Sequence, residues 1–220
     1  MLYKTLQISL LSLLATCLSH ANLLTNGGFE LGAAGIQSNL ILSPDLRPEG
    51  NYFVGLDPHA YHNLWSSIGD HPSGTGNMMF VNGSTNANQL VWGQSGIAVT
   101  TDTYYLFSFW AASVFDANPA QFQVKINGVQ VGSTYTIPAP VGQWSQAVVL
   151  WNSGASTTAS LGLFDLNTAP GGNDFALDDL SFDRSFANQS ASSVPEPGSL
   201  LLVGGALCAL YGSRRRAVEL

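Results

Sequence analysis

An alternating pattern on both sides of one tight turn limits what this chain can fold into. Residues 122–126 alternate between apolar and polar side chains, Asn127 and Gly128 follow, and residues 129–131 resume the alternation. Asn-Gly between alternating segments predicts a two-residue β-hairpin of type I′, because both turn residues then take a positive φ. Residues 104–111 alternate as well, with Tyr105, Phe107 and Phe109 on one face. The pattern therefore indicates strands.

Similar short segments recur along the chain, and no stretch of useful length between residues 22 and 193 has the helical period. We predict further strands at residues 29–31, 52–54, 64–65, 77–81, 89–91, 96–99, 144–151, 159–163 and 175–182. Eight or more short strands separated by Gly, Asn and Pro turns are typical of a two-sheet sandwich. The predicted fold class is therefore all-β, with a sandwich domain at residues 22–185 and a linker at 186–193.

The first 21 residues have the pattern of a secretory signal peptide. Lys4 supplies the positive charge, residues 6–18 form the apolar segment, and Ser19 and Ala21 are small residues where signal peptidase requires them. We expect a signal helix that is removed after Ala21, so that Asn22 becomes the first residue of the exported protein.

The C-terminal residues combine a proline-rich hinge, an uncharged apolar segment and a cationic cluster. The apolar residues 198–212 would rise about 22 Å as a helix, which is shorter than the roughly 30 Å hydrocarbon core of a bilayer. The cationic cluster favours the cytoplasmic side of a membrane. We therefore predict a short transmembrane helix, flanked by Pro195, Glu196 and Pro197 before it and by Arg214, Arg215 and Arg216 after it.

This order of residues at 194–216 resembles the PEP-CTERM sorting signal of Gram-negative bacteria. The resemblance implies that an exosortase, an integral membrane cysteine transpeptidase, recognises the chain and cleaves it near the Pro-Glu-Pro triplet. Before this cleavage the protein would be exported through the inner membrane and anchored transiently by its C-terminal helix. The cleavage would then release it to the cell surface or the exopolysaccharide matrix.

Composition restricts the partners of residues 22–194. The cysteines are Cys17 and Cys208, so this part of the chain has no disulfide and no thiolate metal site. It contains 12 of the 14 acidic residues and three of the seven Lys and Arg residues. Such an acidic surface repels nucleic acid and anionic lipid, and it suits cations or neutral polar molecules.

A second resemblance covers most of residues 22–182. The opening 26–30, which reads Asn-Gly-Gly-Phe-Glu, and the closing 175–180 resemble the first and last strands of galactose-binding-like jelly rolls, which include many carbohydrate-binding modules. Residues 105–109 and 126–129 match the middle of that pattern. The resemblance implies an antiparallel jelly-roll sandwich.

The same resemblance implies a structural calcium ion shared by the two ends of the domain. Its ligands would be Glu30 in the opening segment and an aspartate, Asp178 or Asp179, in the closing one. Neighbours on a strand face opposite ways, so only one of the two aspartates can reach the ion, and we favour Asp178.

The sequence contains no convincing catalytic set. Adjacent strand residues such as Asp178 and Asp179 should point to opposite faces and cannot form the carboxylate pair of a glycosidase. His71 beside Asp70 resembles an oriented base, but no nucleophile accompanies it. We therefore predict that the protein is not an enzyme.

Binding has better support in the residues. Five tryptophans are present, and an indole ring can stack on the C–H face of a sugar. Trp110 lies opposite Tyr105, Phe107 and Phe109 in the alternation and should face outward. We predict a non-catalytic sandwich that binds extracellular polysaccharide through Trp110, Trp65 and His71. The alternatives are a structural or adhesive matrix protein without a ligand pocket, and a glycan-active hydrolase.

Overall fold

The computed structural model describes residues 22–138 and 140–185. This part of the chain forms a single 3₁₀ turn at Pro58–Ala60 and ten strands, which are β1 Ile41–Leu42, β2 Asn51–Gly55, β3 Met78–Asn82, β4 Gln89–Ala98, β5 Tyr104–Ser113, β6 Gln121–Ile126, β7 Val129–Thr136, β8 Ser145–Asn152, β9 Thr158–Asp165 and β10 Asp174–Arg184. Within it, no helix is long and apolar enough to cross a membrane. The predicted signal helix, linker and C-terminal helix lie outside the described residues.

The strands form two sheets. The six-stranded sheet has the order β1-β2-β3-β10-β5-β8, and the four-stranded sheet has the order β4-β9-β6-β7. Neighbouring strands are antiparallel except for the short pair β1 and β2. The predicted all-β jelly-roll sandwich is therefore confirmed.

The core between the sheets follows from the alternation in the sequence. Tyr105, Phe107 and Phe109 of β5 are 3%, 0% and 1% exposed, as their spacing predicts. Phe107 stacks on Trp92 of the opposite sheet, with ring centroids 5.9 Å apart. Burying a side chain of this size contributes about 1.5–3 kcal/mol, so this aromatic layer stabilises the sandwich strongly.

The hairpin between β6 and β7 also forms as predicted. Asn127 has a φ of 51° and Gly128 a φ of 78°, which is the type I′ geometry. The Asn127 side chain accepts a hydrogen bond from the Ser160 N–H at 2.8 Å. The turn is thereby attached to β9 as well as to its own two strands.

Two of the predicted strands are wrong. Residues 29–31 form a turn, in which Phe29 has a φ of 57° and a fully buried ring. The Asn26 side chain holds this turn by accepting from the Leu31 N–H and donating to the Gly32 carbonyl. Residues 64–65 lie in a loop, where Trp65 packs its ring inward. The segments 89–91 and 96–99, predicted as two strands, belong to one bulged strand, β4, which ends at Ala98.

The outer face of the six-stranded sheet carries a second apolar cluster. Long loops before β3 cover this face, because they place Leu46 and Trp65 in one cluster with side chains of β3 and β10 and with Val114, which follows β5. The buried members of the cluster are Leu46, Trp65, Met78, Phe80, Val114 and Ala176. The cover does not reach the far end of the sheet, where Leu106, Val148 and Leu150 are exposed.

The first described residues are attached to the last strand. The Asn22 side chain donates to the Leu180 carbonyl at 2.8 Å and accepts from the Phe182 N–H at 3.0 Å. The Leu23 N–H then donates to the Phe182 carbonyl at 3.0 Å. These bonds fix the residue that signal removal would leave as the N-terminus.

Candidate functional site

A cleft of about 450 Å³ opens between two loops at the covered end of the six-stranded sheet. One wall is the loop 66–74 and the other is the segment 141–144, which leads into β8. Trp144 is half-buried in the cleft, and its indole N–H donates to the Gly69 carbonyl at 3.0 Å. The polar residues that line the cleft include Ser66, Ser67, Ser73 and Asp70. The Ser67 hydroxyl donates to Asp57, and the Ser73 hydroxyl donates to Asp70. The cleft thus combines one aromatic surface with several short polar groups.

The loop 66–74 is held by its own side chains. Asp70 accepts from the Gly76 N–H at 2.8 Å and from the Ser73 hydroxyl at 2.9 Å. A Cβ on Gly69 would lie 2.5 Å from the Gly74 carbonyl oxygen, so this close approach of backbone to backbone requires glycine. The wall of the cleft is therefore formed before any ligand arrives.

Beside the cleft, the imidazole of His71 lies on the indole of Trp110. The ring centroids are 3.8 Å apart and the planes differ by 16°. His71 Nδ1 is 2.8 Å from Asp179 Oδ2, and the His71 backbone N–H donates to Asp178 Oδ2 at 3.0 Å. The partner of the His71 ring is therefore Asp179, from the last strand. The contact with Asp70 suggested by sequence proximity is replaced by a long-range one.

A β-bulge at Asp179 makes this arrangement possible. Asp179 has a φ of 45°, and the register between β10 and β5 shifts between Asp178 and Ser181. Leu177 and Leu180 consequently both point into the core, whereas Asp178 faces outward opposite Trp110. The expectation that two adjacent aspartates must face opposite ways is wrong here, because both carboxylates contact His71.

The predicted ligand-binding residues lie in different environments in the structure. Trp65 is 2% exposed and its indole N–H donates to Asp174 Oδ2 at 3.0 Å, so it offers no ring surface to a ligand and that prediction is corrected. Trp110 faces outward as predicted, but His71 covers one of its faces. Sequence reasoning missed Trp144. Its position directly before a strand, after the turn at Gly142, was the available signal.

Burial controls the charge of Asp178, which lies below the His71 loop. Asp178 is 1% exposed, and burial raises the pKa of its carboxyl group to about 8, although the N–H groups of Asp179 and His71 oppose this. The nearby carboxylates of Asp179 and Asp70 raise the pKa of Asp178 further. This side of the molecule favours neutral or cationic ligands.

The residues implied as calcium ligands are only partly brought together. Glu30 Oε1 accepts from the Asn77 N–H at 3.2 Å. A Cβ on Gly76 would collide with Glu30 Oε1 and would lie 2.7 Å from Asp70 Oδ2. Oxygens of two carboxylates thus lie close to Gly76, and carboxylate oxygens are ligands that calcium prefers. Both oxygens of Asp178 instead accept backbone N–H groups. Among the described residues, no group of three or more His, Cys, Asp or Glu is placed to hold a metal ion. The calcium ion stays a prediction.

Comparison with solved structures identifies proteins of similar fold. The chain is similar to a Stig cyclase from Fischerella sp. TAU, with 10% identity, a TM-score of 0.55, and coverage of 76% of this chain and 98% of that one. It is also similar to an arabinose-bound α-L-arabinofuranosidase, with 14% identity, a TM-score of 0.54, and coverage of 75% and 26%. The xylan-binding domain CBM22-1 from Paenibacillus barcinonensis Xyn10C has 16% identity, a TM-score of 0.49, and coverage of 76% and 96%. At such low identity, the likeness to the cyclase and the arabinofuranosidase shows a shared fold alone.

The C-terminal residues give a more specific finding than the fold comparison. Residues 193–216 match the PEP-CTERM protein-sorting motif, as predicted from the sequence. The motif implies processing by an exosortase and indicates export and sorting to the cell surface. No match is found among curated proteins.

Proposed function

We propose that this exported surface protein binds a neutral extracellular polysaccharide, without catalysis, in the cleft beside Trp144. The observation that carries the proposal is the cleft itself, in which an indole ring and serine hydroxyls surround about 450 Å³ of space. Sugar-binding sites need a flat apolar surface for the C–H face of a ring and polar groups for its hydroxyls. The cleft supplies both.

The surrounding charge supports a neutral ligand. Asp70 lines the cleft and Asp179 lies behind the His71 loop, so a uronate or phosphate would meet acidic side chains there. In the described residues, Arg47 is paired with Asp45, and no Lys or Arg lines the cleft. A polysaccharide of neutral hexoses or pentoses fits this environment.

The arrangement argues against hydrolysis. Asp179 orients the His71 ring, as in many general bases, but that ring lies against Trp110 at 3.8 Å. Asp178 is 1% exposed and both of its oxygens accept backbone N–H groups, so it cannot approach a glycosidic bond. A structural matrix protein without a ligand pocket is the competing function, and the same experiment separates the two.

The test is a glycan array with the exported chain, followed by calorimetry with the best neutral polysaccharide. Trp144→Ala should weaken binding about tenfold, equivalent to about 1.4 kcal/mol, because it removes the stacking surface. Trp151→Ala is the matched control. Trp151 is also half-buried, but it packs on Tyr105 and Phe182 at the other end of β8.

Equal affinities for the two variants would refute the cleft as the binding site. An array with no neutral glycan bound by the wild-type chain would favour the structural matrix protein. Preference for acidic glycans would contradict the charge argument.

Calcium is a second part of the proposal, and it rests on the two carboxylates close to Gly76. Glu30 and Asp70 are the residues best placed to hold the ion, together with backbone carbonyls, and Asp178 would join them only after releasing its N–H partners. Bound there, the ion would fasten the opening turn to the loop that forms the cleft. Its role would be structural.

A further inference from the structure

The two sheets of the sandwich have four edge strands, and three of them are protected against pairing with another chain. The strand β1 contains only two residues. The strand β4 carries two register shifts, and an isolated bridge between Gln37 and Gly93 covers part of its edge. The strand β7 has an irregular register with β6 and a positive φ at Gly132. Short length, bulges and coverage are the usual means of protecting sheet edges.

Within residues 22–138 and 140–185, the fourth edge strand, β8, has none of these protections. It pairs with β5 in unbroken register from Ser145 to Asn152. Its eight residues include no proline and no charged side chain. An edge that is long, regular and uncharged is a template for pairing with a further strand.

The free backbone groups of β8 can be assigned from its pairing. The Ser153 N–H donates to the Thr103 carbonyl at 2.9 Å. The backbone N–H and C=O groups of the odd-numbered residues of β8 therefore point toward β5. Since neighbouring residues alternate in an antiparallel pair, the backbone groups on the open side belong to the even-numbered residues, which are Gln146, Val148, Leu150 and Asn152. Val148 and Leu150 also expose 52% and 45% of their surface.

The charge distribution favours a second copy of the same chain at this edge. No Asp, Glu, Lys, Arg or His occurs from Ile126 to Phe164, which includes all of β7 and β8. These strands lie on one side of the sandwich, where Tyr135 Oη is 2.5 Å from Ser145 Oγ. Elsewhere the exported chain is acidic, so two copies approaching by any other side would repel each other more strongly.

We propose that two copies of this chain associate through β8, joined antiparallel about a two-fold axis at Val149. In this register Val148 of one copy lies opposite Leu150 of the other, and Gln146 opposite Asn152, so each pair exchanges two backbone hydrogen bonds. The six-stranded sheets become one continuous sheet. A two-fold axis suits this contact because the same strand serves on both sides. The inference is independent of the proposed glycan binding.

The experiment is sedimentation velocity on the exported chain over about a hundredfold range of concentration, since a homodimer dissociates on dilution. The wild-type chain should double its mass as the concentration rises. Val148→Lys should remain monomeric, because it places two like charges at the centre of the contact. Val148→Pro removes an N–H that points to the open side and should also abolish association.

Leu64→Lys is the matched control, because Leu64 is 68% exposed and lies away from β8; it should associate like the wild-type chain. Hydrogen exchange should show protection of the amides of Val148 and Leu150 only at dimer-forming concentrations. A wild-type chain that is monomeric throughout, or a Val148→Lys chain that still doubles its mass, would overturn the proposal. Circular dichroism establishes that each variant is folded before its mass is compared.

Discussion

Burial of Asp174 makes the stability of this domain depend on pH. The carboxyl group is 6% exposed, Oδ2 accepts from Trp65, and Oδ1 has no hydrogen-bond partner. Burial raises its pKa to about 7, with the nearby carboxylate of Glu49 adding to the rise. In the unfolded chain an aspartate has a pKa near 3.9. The folded state therefore binds the extra proton between these two values, and the free energy of unfolding falls as pH rises through that window.

The size of the effect follows from the interval between pH 5 and pH 8. About two pH units of that interval lie below the folded-state pKa, where the folded carboxyl group is protonated and the unfolded one is not. Each unit corresponds to 1.36 kcal/mol, so Asp174 accounts for a loss of about 3 kcal/mol in the free energy of unfolding. Above about pH 7 its contribution no longer changes.

The assay is urea denaturation, followed by tryptophan fluorescence, at intervals from pH 5 to pH 8. Asp174→Asn keeps an acceptor for Trp65 but cannot titrate, so its free energy of unfolding should fall by about 3 kcal/mol less than that of the wild-type chain. The control is Asp45→Asn, because hydrogen bonding to Arg47 lowers the pKa of Asp45 to about 2, outside the window. Parallel curves for the wild-type chain and Asp174→Asn would refute the reasoning.

Three further outcomes are expected. Trp110→Ala should weaken glycan binding while leaving the domain folded, because it removes the ring on which His71 rests at the side of the cleft; unfolding would instead show that Trp110 stabilises the core. Melting temperature should rise by several degrees from chelator to millimolar calcium, and Glu30→Gln should abolish the rise; an unchanged wild-type melting temperature would exclude the ion. Mass spectrometry of surface material should find a C-terminus near residues 194–198, and extracellular peptides containing Leu207 would contradict processing at the sorting motif.

The strands with local signals were predictable from the sequence. Alternation at Tyr105, Phe107 and Phe109 determined which face of β5 enters the core, and Asn127-Gly128 determined the hairpin. Both depend on residues near each other in the chain. The fold class followed from these local patterns.

The site was less predictable because it depends on contacts between distant residues. A positive φ at Asp179 has no signal in the sequence, yet it brings Asp178 and Asp179 to the same loop. Trp65 is buried in a cluster of residues distant in sequence, and Asp174, also far along the chain, accepts its N–H. Counting tryptophans therefore cannot separate the packed ring at Trp65 from the ring at Trp144 in the cleft.

The position of β10 bears on how the domain would withstand mechanical force. This strand is paired on both sides, with β3 and β5, and Asn22 and Leu23 are hydrogen-bonded to its second half. The sorting motif follows β10 in the sequence, so tension applied from that end is transmitted first to this strand. Extracting it would require the ladders on both sides to break together, as in shear, whereas an edge strand can peel away one bond at a time. When the domain is pulled from its C-terminal side, the force therefore acts first on β10, a strand that is hydrogen-bonded on both sides.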